Sequence, residues 1–534
     1  MIQIYGAELA IDVARADILP EGIMDRIWKR DHTVWKPAPT EIADRLGWLD
    51  CPENMPARLA EICQWANSIR RDGYVQAILL GMGGSSLAPE TFRKTFGVRP
   101  GFPELTILDT TDPGTVLARA RSLDLARTLF IVSTKSGGTV ETFSLMKYFY
   151  NQVRAGMGPE AAGRHFTAIT DPGSGIAAWA ERLHFRHTFL NDPDIGGRYS
   201  ALSCFGIVPA ALIGVDVKRL LAEAATAGAG TRPDAAAAGR AFAGNAVPLG
   251  ISTRPGAGGW HGQEALPATQ REKMEGGRSR PERPDRPETR ATETLSDAAV
   301  LGTALGELAR TGRDKATFFF SPPLASFGAW LEQLLAESTG KEGRGIVPIV
   351  GEPPGSPESY GDDRVFIAVG LGGDRPQEEL LAALRRARHP VLKITLADPY
   401  ELGGQIFIWE MATAVAGRRL GINPFDQPDV EAAKALAREM TAAYRETGRL
   451  PGEKPAWSSA QWDIYGEHPS LADFLAQGKA GDYVALQAYV TPTPALDRAR
   501  DRHVWLPVRP VTRRRWPNGR ITHDELKPLK ALAA

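Results

Sequence analysis

The sequence predicts an α/β protein with two separate parallel sheets, each covered by helices. Short, fully apolar runs alternate along the chain with segments of helical spacing, which is typical of strands buried on both faces of a parallel sheet. The alternation occurs in two blocks. The predicted strands are 75–80, 105–108, 128–132 and 166–169 in the first block and 316–320, 346–350, 365–369 and 390–396 in the second. The predicted helices between them are 139–150, 326–338, 376–387 and 405–420.

Composition divides the chain further. Residues 270–293 are almost all charged residues, Pro, Gly and Thr, so this stretch cannot bury enough apolar surface to offset its ordering entropy. Beyond about residue 490 the chain becomes Arg-rich, which is compatible with nucleic-acid binding but more often marks a peripheral solvated extension. We therefore expect an N-terminal helical segment (1–50), a first α/β domain (51–239), a disordered low-complexity insertion (240–295), a second α/β domain (296–455) and a C-terminal extension (456–534).

The overall composition excludes several classes of protein. Apolar residues make up 43% and charged residues 24%, as in ordinary globular proteins, and the formal net charge is zero. Zero net charge argues against a chain organised globally around polyphosphate or a membrane surface, though not against a local basic pocket. Cys51, Cys63 and Cys204 are too few and too scattered for a disulfide framework or a zinc site, which favours the cytoplasm. The uncharged stretch 199–215 is short and contains Pro209, so it predicts a buried core helix.

Two loops rich in glycine and hydroxyl groups follow predicted strands. Residues 81–89 (GMGGSSLAP) and 133–142 (STKSGGTVET) each open a helix at the end of a strand. Glycines allow a ligand to approach the backbone, and a helix N-terminus presents free N–H groups to an anion. Together the loops predict a phosphate-binding crevice, although simple N-capping is the alternative. The candidate phosphate ligands are Ser85, Thr134, Lys135, Ser136 and Thr139.

Three other segments carry candidate catalytic residues. Arg198 follows two glycines in DIGGRYS, and an Arg held there can stabilise an anionic intermediate. Glu337, in AESTGKEGRG, ends a predicted amphipathic helix and is a candidate to accept a carbon-bound proton. In NPFDQPDVEAAK, Gln427 and Lys434 are about two helical turns apart and could share a face. Taken singly, each of these is more often an ordinary surface residue.

Taken in order, these five segments resemble the glucose-6-phosphate isomerase family, whose members contain two SIS (sugar isomerase) domains, each a flavodoxin-like parallel sheet between helices. Residues 192–206 resemble the first family signature and 425–434 closely match the second. The resemblance covers about residues 25–235 and 297–490. Three runs look most like the isomerase half of the bacterial bifunctional transaldolase/glucose-6-phosphate isomerases: 31–50, 324–348 and 409–430. The sequence contains no transaldolase half, so that activity is not expected.

The resemblance implies a reaction and a role for each residue. The reaction is the interconversion of glucose 6-phosphate and fructose 6-phosphate through a cis-enediol(ate), in glycolysis and gluconeogenesis, without a metal or other cofactor. Glu337 would be the base, Arg198 would stabilise the enediolate and Lys434 would assist ring opening. The five phosphate ligands would keep that role, while Gly84 and Gln427 would contact the sugar.

The resemblance also implies a cytoplasmic homodimer whose ligand is a sugar phosphate, with no nucleic-acid or membrane partner. The sequence departs from the family in three places: no histidine matches the one that opens the sugar ring, Pro193 replaces an acidic or small polar residue, and the tail is unlike the family's. Two alternatives therefore stay open. The chain could be a non-catalytic sugar-phosphate-binding protein or an SIS isomerase for another sugar phosphate.

Overall fold

A computed structural model describes residues 2–6, 12, 21–232, 296–449 and scattered residues between 452 and 493. The predicted insertion and the end of the predicted extension lie outside these residues. The strands are β1 Ile2–Tyr5, β2 Gln76–Gly81, β3 Glu104–Leu108, β4 Thr128–Ser133, β5 Phe166–Thr170, β6 His187–Leu190, β7 Lys315–Phe320, β8 Val347–Val350, β9 Arg364–Leu371, β10 Val391–Leu396, β11 Trp457–Ser458 and β12 Asp463–Ile464.

Helices connect these strands and cover the sheets. They are α1 Ile23–Trp28, α2 Cys51–Asn54, α3 Leu59–Arg71, α4 Gly84–Phe96, α5 Pro113–Arg121, α6 Val140–Met157, α7 Pro159–Ala162, α8 Gly175–Arg182, α9 Cys204–Leu212, α10 Val217–Thr231, α11 Asp297–Arg310, α12 Phe327–Thr339, α13 Glu378–Arg386, α14 Leu402–Leu420 and α15 Pro428–Thr447. Within the described ranges, none of these helices is both long enough and apolar enough to cross a bilayer.

The first sheet is entirely parallel, with the strand order β3-β2-β4-β5-β6. This is the flavodoxin-like order, and it has a switch point between β2 and β4, where ligands bind in folds of this class. The four predicted strands of this sheet are observed to within two residues: β2, β4 and β5 are buried along nearly their whole length, and the edge strand β3 is only partly buried but keeps a largely apolar run. The edge strand β6 was not predicted: it contains polar residues and is only partly buried, so it lacks the apolar signal.

The second sheet has the order β1-β10-β9-β7-β8. Strands β7 to β10 are parallel and confirm the second predicted block, but β1 is antiparallel to β10, so this sheet is mixed rather than purely parallel. In β1, Ile2 pairs with Ile394. The N-terminal segment, expected to be helical, therefore also contributes an edge strand. A four-residue strand carries too little periodicity to be found without its distant partner.

The two α/β units share one hydrophobic core. Helix α9 is fully buried, as predicted for residues 199–215, and α14 is buried along most of its length between α10, α11 and α12. Aromatic rings from both units meet in this core: Tyr199 packs against Trp48 at 5.3 Å and against Phe425 at 5.2 Å between ring centroids. This packing fixes the segment around residue 198 against the second unit, where the candidate base lies.

Candidate active site

The first glycine-rich loop lies at the switch point of the first sheet and opens α4. Gly83 has a φ of +58°, which favours glycine, and it is the residue before the helix. A Cβ on Gly84 would overlap the carbonyl oxygen of Gly197, so the backbone of this turn lies directly against the segment that carries Arg198. Ser85 is buried in the first helical turn. The predicted loop and helix start are therefore observed.

The second loop begins beside the first, because Gly81 at the end of β2 pairs with Ser133 at the end of β4. Thr134 is buried, and its hydroxyl donates to Thr139 Oγ1 at 3.3 Å. Thr139 is the residue before α6, but its side chain makes no capping hydrogen bond. Helix capping, the alternative interpretation of this loop, therefore does not explain the Thr139 hydroxyl. Ser136 is exposed and accepts a hydrogen bond from the backbone N–H of Gly138.

The Lys135 ammonium is bound to protein groups. Its Nζ lies 2.6 Å from Asp171 Oδ2 and 2.6 Å from the carbonyl oxygen of Pro193. Burial raises the pKa of the Asp171 carboxyl, and the hydrogen bond from Lys135 opposes that shift. For Lys135 to bind a phosphate directly, as the sequence predicts, its ammonium would have to share or give up these two bonds.

Arg198 lies in a short helical turn, Gly197–Tyr199, and its side chain is only 4% exposed. Nη1 donates to Ser338 Oγ at 3.1 Å. Nη2 donates to the carbonyl oxygens of Phe425 and Asp426 at 2.8 and 2.9 Å. A guanidinium has five N–H groups in one plane, so Nε and one Nη1 hydrogen remain for other partners. The buried cation is thereby fixed at the contact between the two α/β units.

Glu337 lies in the last turn of α12, as predicted, and faces Arg198. Its Oε1 is 3.7 Å from Arg198 Nε, and its side chain is 24% exposed, which leaves it accessible to a ligand. Gln333, one turn earlier, donates from Nε2 to Glu337 Oε2 at 3.2 Å. The same amide lies against the first loop, because a Cβ on Gly83 would be 2.6 Å from it. The candidate base, the buried cation and the first loop therefore adjoin one another.

Sequence reasoning missed Gln333 and Lys341. The spacing of four residues on one helix could have identified Gln333 as a neighbour of Glu337. Lys341 could not have been found in this way, because its partners lie some 80 residues away. Its buried ammonium donates to the carbonyl oxygens of Asn423 and Asp426 and to Asp426 Oδ1, and burial lowers its pKa.

The remaining candidates lie at the start of α15. Gln427 is the residue before this helix, and Lys434 lies two turns into it; both are half-buried. The turn that precedes them is the one held by Arg198 and Lys341. In the part of the chain that the structure describes, His165, His187 and His389 bond or pack at other places, against β4, Glu61 and Phe366.

Comparison with known proteins shows which proteins the chain is similar to. Residues 58–229 match the family model described as Phosphoglucose isomerase. The glucose-6-phosphate isomerase of Thermus thermophilus is 34% identical over 190 residues, which are 34% of this chain and 42% of that relative. The enzyme of the same name from Rubrobacter xylanophilus is 26% identical over 464 residues, covering 76% of this chain and 92% of that relative.

Two solved structures share the fold. The hypothetical protein TT0462 from Thermus thermophilus superimposes with a TM-score of 0.61 at 23% identity, covering 83% of this chain and all of that one. A glucose-6-phosphate isomerase from Chlamydia trachomatis gives a TM-score of 0.52 at 18% identity, covering 79% of this chain and 78% of that one. At these identities the similarity establishes the common α/β architecture, and the predicted fold class is confirmed.

Proposed function

We propose that this chain, which is related to the glucose-6-phosphate isomerase family, interconverts glucose 6-phosphate and fructose 6-phosphate. The observation that carries the proposal is the pair formed by Glu337 and Arg198, with Oε1 3.7 Å from Nε. An aldose–ketose isomerisation needs one base that reaches two adjacent carbons and a cation for the oxygen that becomes negative. The pair supplies both groups at one place.

The reaction is a proton transfer rather than a hydride transfer. Glu337 removes the proton from C2 of the open-chain aldose, and the electron pair forms the C1–C2 double bond while the C1 oxygen gains negative charge. Arg198 stabilises this enediolate through the N–H groups that its three protein bonds leave available. The hydroxyl proton on the C2 oxygen then passes to the C1 oxygen, so that the C2 oxygen becomes the carbonyl, and Glu337 returns its proton to C1. Gln333 holds the carboxylate throughout, since its amide donates to Oε2.

The phosphate end of the sugar is bound by the two loops at the switch point. The proposed ligands are the hydroxyls of Ser85, Thr134, Ser136 and Thr139, with the N-termini of α4 and α6 adding their free N–H groups. Lys135 is left out of this set because its ammonium is bound to Asp171 and to a backbone carbonyl. The contact of Gln333 with Gly83 supports a substrate that reaches from the first loop to the base.

Three residues complete the proposal at the sugar itself. Gly84 and Gln427 contact the sugar, and Lys434 assists ring opening. Gly84 lies against the Arg198 segment, and Gln427 directly follows the turn that Arg198 binds, which supports both assignments. A protein that only binds sugar phosphates would need neither a base nor a buried cation beside it, so the non-catalytic alternative is not favoured.

The cellular setting is also a proposal. Cys51, Cys63 and Cys204 are free thiols, which supports a cytoplasmic location, and the proposed reaction belongs to glycolysis and gluconeogenesis. Helix α15 exposes Leu436 and Tyr444 by 59% and 53%, and such large apolar side chains favour a second copy of this chain as the partner in a homodimer. The runs 31–50, 324–348 and 409–430 support a relationship to the isomerase half of the bifunctional enzymes.

The proposal is tested by a coupled isomerase assay on the full-length protein. Glucose 6-phosphate and fructose 6-phosphate are supplied separately, with a panel of other aldose and ketose phosphates beside them. We expect turnover in both directions for the named pair. Binding of fructose 6-phosphate to folded protein without turnover, or turnover of a different sugar phosphate alone, would contradict the proposal.

A further inference from the structure

The two bonds of the Lys135 ammonium connect three segments of the first α/β unit. The residue itself belongs to the second glycine-rich loop. Its Nζ donates to Asp171 Oδ2, just after β5, and to the carbonyl oxygen of Pro193, which precedes Arg198 by five residues. The backbone carbonyl of Lys135 also accepts from Asp171 N and from Thr170 Oγ1, both at 3.1 Å. Main chain and side chain together fix this loop to its neighbours.

The carboxylate partner is itself confined. The Asp171 side chain is 13% exposed, and within the described residues its Oδ1 is buried and has no hydrogen-bond partner. The charge on Oδ2 is therefore compensated chiefly by Lys135, with a smaller contribution from Arg45. A buried carboxylate without its cation is strongly disfavoured, so the ammonium cannot leave for a ligand without leaving Asp171 unpaired. The burial of this pair favours a permanent contact over a free cation waiting for an anion.

The Pro193 carbonyl lies in a segment that is held from the other side as well. Gly47 N donates to the carbonyl oxygen of Asp194 at 2.9 Å, and Leu46 forms an isolated β-bridge with Ile195. The Lys135 ammonium holds the same segment from the opposite side, through its bond to the Pro193 carbonyl, and so connects it to the second glycine-rich loop, here called the phosphate loop. The two attachments hold the backbone that leads directly into Arg198.

We propose that Lys135 is a positioning residue: its ammonium ties the phosphate loop to Asp171 and to the Pro193 carbonyl, and so fixes Arg198 relative to that loop. This inference rests on the proposed function, because it assigns the loop to a phosphate. The phosphoryl group is then held by hydroxyls and backbone N–H groups, without a direct bond to the lysine. A small displacement of Arg198 from the phosphate anchor would reduce turnover more than it reduces binding.

The test compares Lys135→Met, Asp171→Ala and the double variant with the wild type. The measurements are kcat and the competitive inhibition constant of inorganic phosphate. We expect each single variant to lower kcat by roughly tenfold to a hundredfold and the double variant to be no worse than about twofold below either. The inhibition constant should change by less than about threefold, since no phosphate contact is lost. Lys94→Met, which removes an exposed pair with Glu90, is the matched control.

A lysine that binds phosphate directly predicts the opposite pattern. Lys135→Met would then raise the inhibition constant by about tenfold or more with kcat little changed, because a charge-assisted hydrogen bond is lost. Asp171→Ala would lower the constant, because it frees the ammonium. Either result would overturn the inference. If Lys135→Met does not fold, the direction of change in Asp171→Ala decides the question.

Failure of the proposed function gives a different signature. In that case the wild type itself shows no turnover of either hexose phosphate. The binding of inorganic phosphate to the same variants, measured by calorimetry, still decides the role of Lys135: unchanged affinity in Lys135→Met supports positioning, and a loss of about tenfold refutes it.

Discussion

Replacing Arg198 by Lys keeps the positive charge but removes the planar set of donors. The guanidinium reaches three protein acceptors at once: Ser338 Oγ and the carbonyl oxygens of Phe425 and Asp426. A lysine ammonium is a single point on a flexible chain and cannot span all three. The carbonyl of Asp426 retains its bond from Lys341, so the loss falls chiefly on the other two acceptors.

The size of the effect follows from these contacts. Leaving the buried Phe425 carbonyl without its donor costs about 1–3 kcal/mol, and losing the bond to Ser338 adds about 1 kcal/mol. We expect Arg198→Lys to lower the free energy of unfolding by about 2–4 kcal/mol. Because the proposed role of the guanidinium is to stabilise the enediolate, kcat should fall by roughly 10²–10³, with kcat/KM falling equally.

Urea denaturation and the coupled isomerase assay measure the two effects. Arg310→Lys is the matched control: Arg310 is exposed at the end of α11 and makes a single hydrogen bond to Glu307, so its replacement should change stability by about 0.5 kcal/mol or less. If Arg198→Lys folds and keeps turnover within about threefold of the wild type, the guanidinium is not the stabilising cation.

Two further substitutions test other parts of the molecule. Burial raises the pKa of the Glu410 carboxyl well above the ordinary value of 4.5, so the folded chain holds a proton there that the unfolded chain releases. The contribution of Glu410 to stability should therefore fall as pH rises from about 4.5 towards its folded pKa, by at most about 1.4 kcal/mol per pH unit, so in urea titrations Glu410→Gln should lose less stability per pH unit than the wild type over that range; identical pH slopes in the two proteins would contradict this. Gly84→Ala should cost about 1–3 kcal/mol and lower kcat, because its Cβ would overlap the Gly197 carbonyl. Gly156→Ala, which meets nothing within 4 Å, should be neutral or stabilising, and equal effects of the two changes would refute the argument.

The strands of both sheets could be predicted because their signal is local. A strand buried on both faces is a continuous apolar run, and β4, for example, is buried at every residue. The strands that were missed lack such a run. β6 is a partly exposed edge, and β1 joins a sheet whose other strands begin more than 300 residues later.

The candidate site, like the sheets, could be predicted only where its signal is local in the sequence. The loops, Glu337 and Arg198 occur in recognisable patterns, and the structure brings Glu337, Arg198 and the first loop together. The partners of Lys135 and Lys341 were not predictable, because they come from segments remote in sequence and include backbone carbonyls, which carry no residue signature. The loop around Lys135 predicts a direct bond to phosphate, and the positioning role proposed here could be inferred only from the contacts of its ammonium with Asp171 and Pro193.

The central claim is that the Glu337 carboxylate moves the proton. We predict that Glu337→Gln binds fructose 6-phosphate within about threefold of the wild type but loses roughly 10²–10⁴ in kcat, together with the exchange of the C2 proton with solvent. Glu332→Gln, on the same helix, should retain both. Wild-type turnover and exchange in the Glu337→Gln variant would contradict the account.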